Sequence, residues 1–397
     1  VSKLKIILLI LVSASAVLLL YYSVSKSQLL THGFASYYTH SRLLAEGGDM
    51  TAAYDSVYFH SKMSEFGFGN TKDLPNLPTG SLIMLPLSFL APHAAKTMWM
   101  IISLAALVYS IFLLFRVYEI KFSSIESPAL ILIVFLMYPL YQNILLGQVY
   151  TMILLLASAA LYGLKKDLPL LTAISIALMI ILKGYGFYPL AALLFLKQYR
   201  VFLYGVLFTV ILFLATLPLF GFSAWEMYYF KFYSAVSFGQ FAGHTAYQTI
   251  GSLLMHTFPF VTKQFMYYIS QLIGFTALFY FTKRLKASGI IAAFTLSIAM
   301  NVIFAPAAES YHYVLLIPLI FLLGKIIKKK YNSVKVYFTL YIAAALLIML
   351  PFRSDLFNYA IFPVFLIGYF RLYAAMLITL LFLFLNSKIP VSEKRTI

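Results

Sequence analysis

The sequence predicts an all-α, polytopic membrane protein of about 11 to 13 membrane helices in a single membrane domain over residues 1–397. Three observations carry that reading. The chain is 62% hydrophobic, 10% charged and has a mean hydropathy of +0.91, more apolar surface than a water-soluble globule can bury. Its apolar runs are separated by short polar segments. Finally, the positive charge falls between those runs.

The net charge of +17 is therefore a matter of orientation, not of nucleic-acid binding. Lys3, Lys5, Arg116, Lys121, Lys165, Lys166, Lys197, Arg200, Lys283, Arg284 and Lys286 flank apolar segments, as do Lys325, Lys328 to Lys330, Lys335, Lys388, Lys394 and Arg395. One topology puts all of these on the cytoplasmic face of a plasma membrane. The absence of cysteine excludes a disulfide framework, a thiolate metal site and a cysteine nucleophile.

Residues 4–22 read as an uncleaved first helix with a cytoplasmic N-terminus. The segment 23–80 then forms a long polar extracytoplasmic loop, with Glu46, Asp49, Asp55, Glu65 and Asp73 among its residues. The run 81–90 is too short to span and reads as re-entrant or interfacial, whereas 97–115 is long enough to cross. Further apolar segments lie near 128–142, 148–164, 168–182, 186–197, 200–220, 264–282, 288–304, 312–327 and 335–351. The last, 357–387, reads as one kinked crossing or two because Arg371 interrupts it. Several runs are shorter than the roughly 20 residues of a straight span, so broken helices are expected, notably at Lys183-Gly184-Tyr185-Gly186. A second large extracytoplasmic loop covers 221–263. Most of the uncommon polar residues collect on the outer face.

Lys183 lies in a long apolar stretch where a charge costs at least about 2.5 kcal/mol, which makes it a candidate for ligand contact; snorkelling to the interface is the alternative. Glu309 and His312, one turn apart after Pro306, suit substrate or metal binding, against a carboxylate that merely caps a helix. Gln148 beside Gly147 is placed to donate to a ligand or to neighbouring backbone. In the first loop, HGFASYYTHSRLLAEGGDMTAAYDSVYF combines aromatics with carboxylates: aromatic faces stack on sugar rings, and a nearby carboxylate can take a proton from an attacking hydroxyl. The alternative there is an amphipathic interfacial helix from about residue 36 to 45, with Tyr37 and Tyr38 at headgroup level.

The order of GFASYYTHSRLLAEGGDMTAAYD, LPTGSLIMLPLSFLAPHAAKTMW, LLGQVYTMILLL, LKGYGFYPL, AYQTIGSLL and APAAESYHYVLLIPL resembles glycosyltransferase family 87 over about residues 30–320. These are GT-C-type membrane enzymes that include polyprenyl-phosphate-mannose-dependent α-mannosyltransferases. The resemblance implies transfer, with inversion, of a hexose, mannose being the expected one, from a polyprenyl-phosphate-linked sugar to a glycolipid or glycan hydroxyl on the outer face. Lys183 matches the family's lysine in a K-x-x-P-like segment and His312 the second histidine of an S-P-x-x-W-x-H-H-like turn, which assigns them to the donor phosphate. Gln148 matches the glutamine of a G-Q-x-x motif and Gln248 that of an N-Q-S-like motif; with Tyr37 and Tyr38 they are expected on the sugar and acceptor.

One departure matters. The position before Phe34, aspartate in many members, is Gly33, so the base is sought in Asp55, Asp49 or Glu309. The scheme requires no cofactor or metal, because a lysine can neutralise the leaving phosphate; a divalent cation is compatible with it. The expected partners are the lipid-linked sugar, the acceptor and membrane lipid. A transporter or flippase of lipid-linked saccharide is the competing class; inverted repeats, its usual mark, are not evident in the hydropathy.

Overall fold

The computed structural model describes residues 3–69, 75–240, 242–285, 289–330 and 335–387. Asp73, Lys286, Lys388, Lys394 and Arg395 lie outside them. The described residues form helices and turns with no strand. In order these are α1 (Lys3–Ser27), α2 (His32–Ala45), α3 (Ser56–Glu65), α4 (Pro92–Val117), α5 (Glu126–Leu136), α6 (Tyr138–Leu146), α7 (Tyr150–Lys165), α8 (Pro169–Lys183) and α9 (Phe187–Phe195). There follow α10 (Tyr199–Met227), α11 (Ser234–Ser237), α12 (Ile250–Thr257), α13 (Lys263–Leu285), α14 (Ile290–Ile303), α15 (Ile317–Lys330), α16 (Lys335–Met349) and α17 (Phe370–Ser387).

Five helical stretches are long and apolar enough to cross a membrane: Lys3–Ser27, Pro92–Val117, Tyr199–Ser237, Ser310–Lys329 and Val364–Asn386. The pair α5 and α6 adds a sixth, bent by 49° where Pro139 opens the second helix. Four shorter apolar helices accompany them. The fold is thus the all-α polytopic membrane protein that composition predicts.

The first helix is bound to the bundle by a narrow stripe. Ser15, Leu19, Ser23 and Ser27 are buried at every fourth position and face α5 and α6, while most of the helix is open to lipid. Each serine hydroxyl donates back to a carbonyl of its own helix, at 2.7 to 2.9 Å, so small side chains permit close approach with no unpaired donor in an apolar medium.

At one end of the bundle, Lys165 and Lys325 meet Glu119 at 2.7 and 3.9 Å, Lys328 pairs with Glu126, and the Lys5 ammonium donates to the Ser123 carbonyl. The starts of α1 and α5 and the ends of α4, α7 and α15 therefore share this end, as the distribution of basic residues predicts. The ends of α6, α8 and α16 lie at the other. There the central helices α7, α8 and α14, of 16, 15 and 14 residues, are only roughly 21 to 24 Å long at about 1.5 Å per residue, short of an apolar layer of about 30 Å. Their ends pass into turns enclosed by protein, where irregular backbone is tolerated.

The structure gives three local readings their form. The run 81–90 forms no α-helix of its own but two 3-10 turns, Pro78–Ile83 and Leu85–Leu87, each with a proline in its first two residues and packed on α2. Helix α2 is packed in protein: ten of its fourteen residues are buried, Tyr37 and Tyr38 among them, because protein closes over both faces of an amphipathic pattern that a bilayer surface would have satisfied equally. The last stretch holds a single crossing, entered by a 3-10 turn at Val364–Tyr369. Arg371 sits at its start, not its middle. Its Nη2 donates to the carbonyls of Leu350 and Phe352 at 2.8 and 3.0 Å, and its guanidinium lies over the rings of Tyr138 and Phe370.

Arg371→Leu leaves those two carbonyls unpaired, at about 1 to 3 kcal/mol each. In detergent micelles this substitution is expected to lower the apparent melting temperature by at least roughly 2 °C; an unchanged melting curve would show that water replaces the guanidinium.

Candidate functional site

Five chain segments meet at the end of the bundle opposite the lysine–glutamate pairs. Helix α8 stops because Gly184 takes a left-handed conformation (φ 74°), which leaves Lys183 as its last residue, where helix carbonyls favour a cation. The Lys183 ammonium donates to Asn76 Oδ1 at 2.5 Å and lies 5.1 and 6.0 Å from the ring centres of Tyr37 and Tyr150. Asn76, held between Pro75 and Pro78, turns its amide nitrogen to Ser36 Oγ (3.0 Å) and accepts the Tyr54 hydroxyl on its carbonyl (2.7 Å). A side-chain oxygen and two aromatic faces thus hold the half-buried lysine.

The second wall is the turn before α15. Residues Ser310–Leu316 form a 3-10 segment that stacks the rings of Tyr311 and His312 4.6 Å apart and sets His312 4.1 Å from Tyr150 and 5.5 Å from Tyr185. Glu309 occupies the cap position of this segment but makes no capping bond. Its Oε1 instead accepts the Tyr311 hydroxyl at 3.1 Å. Burial pushes the Glu309 carboxyl above the ordinary range, with the Tyr311 hydroxyl and the charge of Lys183 pulling the other way.

The third wall is the turn between α6 and α7. Gly147, left-handed at φ 64°, ends α6, and its carbonyl accepts Trp99 Nε1 at 2.9 Å. The Lys96 ammonium donates to the Leu145 carbonyl (2.8 Å) and Thr31 Oγ1 (3.0 Å). So fixed, the turn presents Gln148, whose Oε1 lies 3.4 Å from the Tyr37 hydroxyl.

Gly33 packs against this turn: a Cβ there would stand 2.5 Å from Gln148 Nε2 and 2.7 Å from the Leu146 carbonyl. A side chain at the family's aspartate position therefore has no room with Gln148 as it lies. Gly33→Ala is expected to cost about 1 to 3 kcal/mol of overpacking and to lower sugar transfer by displacing Gln148. Gly33→Ala combined with Gln148→Ala checks this, since removing the amide should recover part of the melting temperature, the contact with the Leu146 carbonyl remaining.

The other residues singled out from the sequence have different surroundings. Asp55 caps α3, its Oδ1 accepting the amides of Val57 and Tyr58 at 2.9 and 3.0 Å. The bond from Tyr58 leads in holding its carboxyl below the usual range, so this cap is in place at neutral pH and is lost as pH falls through that lowered value. Asp49 accepts the amides of Thr51 and Ala52. Tyr38 points to the other side of α2 and donates to the Leu90 carbonyl at 2.7 Å.

Gln248 is buried and spends its whole amide on backbone. Its Nε2 donates to the carbonyls of Thr245 and Gly368, its Oε1 accepts the Arg371 amide, its own N–H donates to Ala308 and its carbonyl accepts the Tyr313 hydroxyl. It ties the 245–249 turn, the start of α17 and the 308–313 turn together.

The structure thus brings Tyr37, Gln148, Lys183, Glu309 and His312 to one place. To these it adds Asn76, Tyr150, Tyr185 and Tyr311, which sequence reasoning missed. Asn76 had one signal, a polar residue bracketed by prolines in LPNLP; the tyrosines had none among 31. No group of three or more acidic or histidine side chains suited to a metal ion occurs among the described residues.

A bundle of apolar helices whose breaks bring a cation, a carboxylate and aromatic walls to one end has the parts a membrane glycosyltransferase needs. The model of glycosyltransferase family 87 matches residues 76–308, more than half of the chain, and the chain belongs to that family. The match takes in Asn76, Gln148, Lys183 and Gln248; Tyr37, Tyr38, Asp49, Asp55, Glu309 and His312 lie outside it. No curated protein and no solved structure matches the chain.

Proposed function

We propose that this glycosyltransferase moves a hexose, mannose in the first instance, from a polyprenyl-phosphate carrier to a hydroxyl of a glycolipid or glycan, with inversion, on the outer face of the plasma membrane. The observation that carries the reading is the Lys183 ammonium at the end of α8, held by Asn76 and aromatic rings, with Glu309 within its electrostatic range. The leaving group of such a donor is a phosphate, and a cation fixed in an apolar setting stabilises its growing charge more than it stabilises the ground state. His312, packed against Tyr150 and stacked on Tyr311, supports the same end of the donor.

Tyr37, Tyr150 and Tyr185 offer faces for the sugar ring, and Gln148 offers an amide for its hydroxyls. Among the described residues Glu309 is the carboxylate that its bonds tie to this cluster, and it is our choice of base: its raised affinity for protons makes it a better acceptor from a sugar hydroxyl than an ordinary glutamate. Lys183 meets the charge of the leaving phosphate, so the scheme needs no divalent cation.

Membranes containing the protein are expected to transfer label from polyprenyl-phosphate-mannose, and to do so in the presence of EDTA. If neither the mannose nor the glucose carrier is consumed while a labelled lipid-linked saccharide crosses the bilayer, the protein is a flippase and the reading falls. Asp55→Asn separates the carboxylates, because asparagine keeps the α3 cap and removes the charge. Transfer within about threefold of wild type is expected; a loss of about a hundredfold or more would move the base to Asp55.

A further inference from the structure

The connection between α16 and α17 presents an apolar tip. Leu356, Tyr359, Ile361 and Phe362 are 71%, 93%, 79% and 69% exposed, and from Leu356 to Ile367 the chain carries no charge. Phe260, also exposed, lies on the turn after α12, and stacking of His256 on Phe365, 4.0 Å between ring centres, ties α12 to the segment that follows the tip.

The tip is not loosely attached. Its root is held by Arg371 on the carbonyls of Leu350 and Phe352 and by Thr245, whose hydroxyl donates to Ser354 O at 2.7 Å and whose amide donates to Asn358 Oδ1 at 3.2 Å. Such anchorage costs chain entropy, and the side chains it holds outward are of the kind a water-facing loop avoids. Two features identify what covers them. The exposed stripe is continuous with the face of a membrane span, since Val364 and Ile367 are exposed at the start of Val364–Asn386. The charges nearby, Arg353 and Asp355, are paired at 2.6 Å at the root, before the apolar run begins.

We propose that residues 356–362, with Phe260, insert into the acyl-chain layer of the leaflet at the site end of the bundle, so that the partner of this surface is lipid. Through Thr245 and the turn that Gln248 holds against Ala308, the inserted tip is joined to the segment bearing Glu309. The bilayer thereby fixes the height of the site wall relative to the lipid surface.

The chain has no cysteine, so one introduced thiol carries one label. Ile361→Cys and Tyr359→Cys, each labelled with a nitrobenzoxadiazole fluorophore in phosphatidylcholine–phosphatidylglycerol vesicles, are compared with Ser61→Cys on the exposed polar side of α3. Lipids with a doxyl group at mid-chain are expected to quench positions 359 and 361 at least about twofold and leave 61 unaffected, with iodide doing the reverse. Equal iodide quenching at all three positions, without doxyl quenching, would place the tip in water and overturn the proposal. Resistance of 359 and 361 to both quenchers would overturn it too, assigning the surface to another protein or a second copy. Tyr359, the more exposed of the two, decides the matter if Ile361→Cys fails to fold.

Discussion

Lys183→Ala is expected to lower the turnover of the carrier-linked sugar by about a hundred- to a thousandfold, the usual loss when one fixed donor is removed from a developing oxyanion. The direction of the accompanying stability change makes the result diagnostic. A lysine at the end of an apolar helix costs free energy to keep, so the melting temperature is expected to stay level or rise on its removal while transfer collapses. Lys183→Arg restores the charge but not the compact head that fits between Asn76 and the rings of Tyr37 and Tyr150, so recovery should be partial. A structural lysine would show the opposite pattern: a lower melting temperature and transfer that falls only in step with the amount of folded protein.

Glu309→Gln is expected to cost about a hundred- to ten-thousandfold in transfer, the range for a general base. Burial raises the Glu309 carboxyl above the ordinary value, so the active, deprotonated form accumulates only as pH climbs through that raised value. The acid limb of the wild-type profile should accordingly lie above the usual glutamate range near about 4.3, and the variant should lose the limb along with the rate. The stability sign is again separate. A carboxyl that binds its proton more tightly when folded contributes stability at low pH that is lost as pH rises through the folded value. Glutamine, which cannot ionise, should therefore be no less stable than glutamate at neutral pH. A variant that transfers at half the wild-type rate would remove Glu309 from the chemistry and return attention to Asp55 and Asp49.

Much of this was legible before any coordinates, and the reason is the solvent. Lipid penalises a charge so strongly that Lys183 stands out in an apolar stretch without reference to its neighbours, and Glu309 with His312 after Pro306 stands out in the same way. What lipid does not penalise leaves no trace: Tyr150, Tyr185 and Tyr311 are ordinary residues of a tyrosine-rich chain until the helix breaks bring them together. Asp55 shows the converse difficulty. Its aromatic neighbourhood drew attention, while its position three residues ahead of Tyr58 is equally the pattern of a helix cap, the role its bonds describe. The crossings of α4 and α10 followed from length alone. The burial of α2 did not, because one amphipathic pattern serves both a bilayer surface and a groove in protein.

The glutamine at position 248 has a consequence for how such a site can diversify. Both ends of its amide are committed, the nitrogen to two carbonyls and the oxygen to a backbone N–H. Glutamate would keep the shape and lose the donor, and asparagine would fall one methylene short. Few substitutions are therefore open at this position, and the frame around Glu309 is inherited as a unit. Tyr150 and Tyr185 meet the site mainly through ring packing, so under the proposed function a change of sugar or acceptor is more readily written into them than into the frame that Gln248 holds.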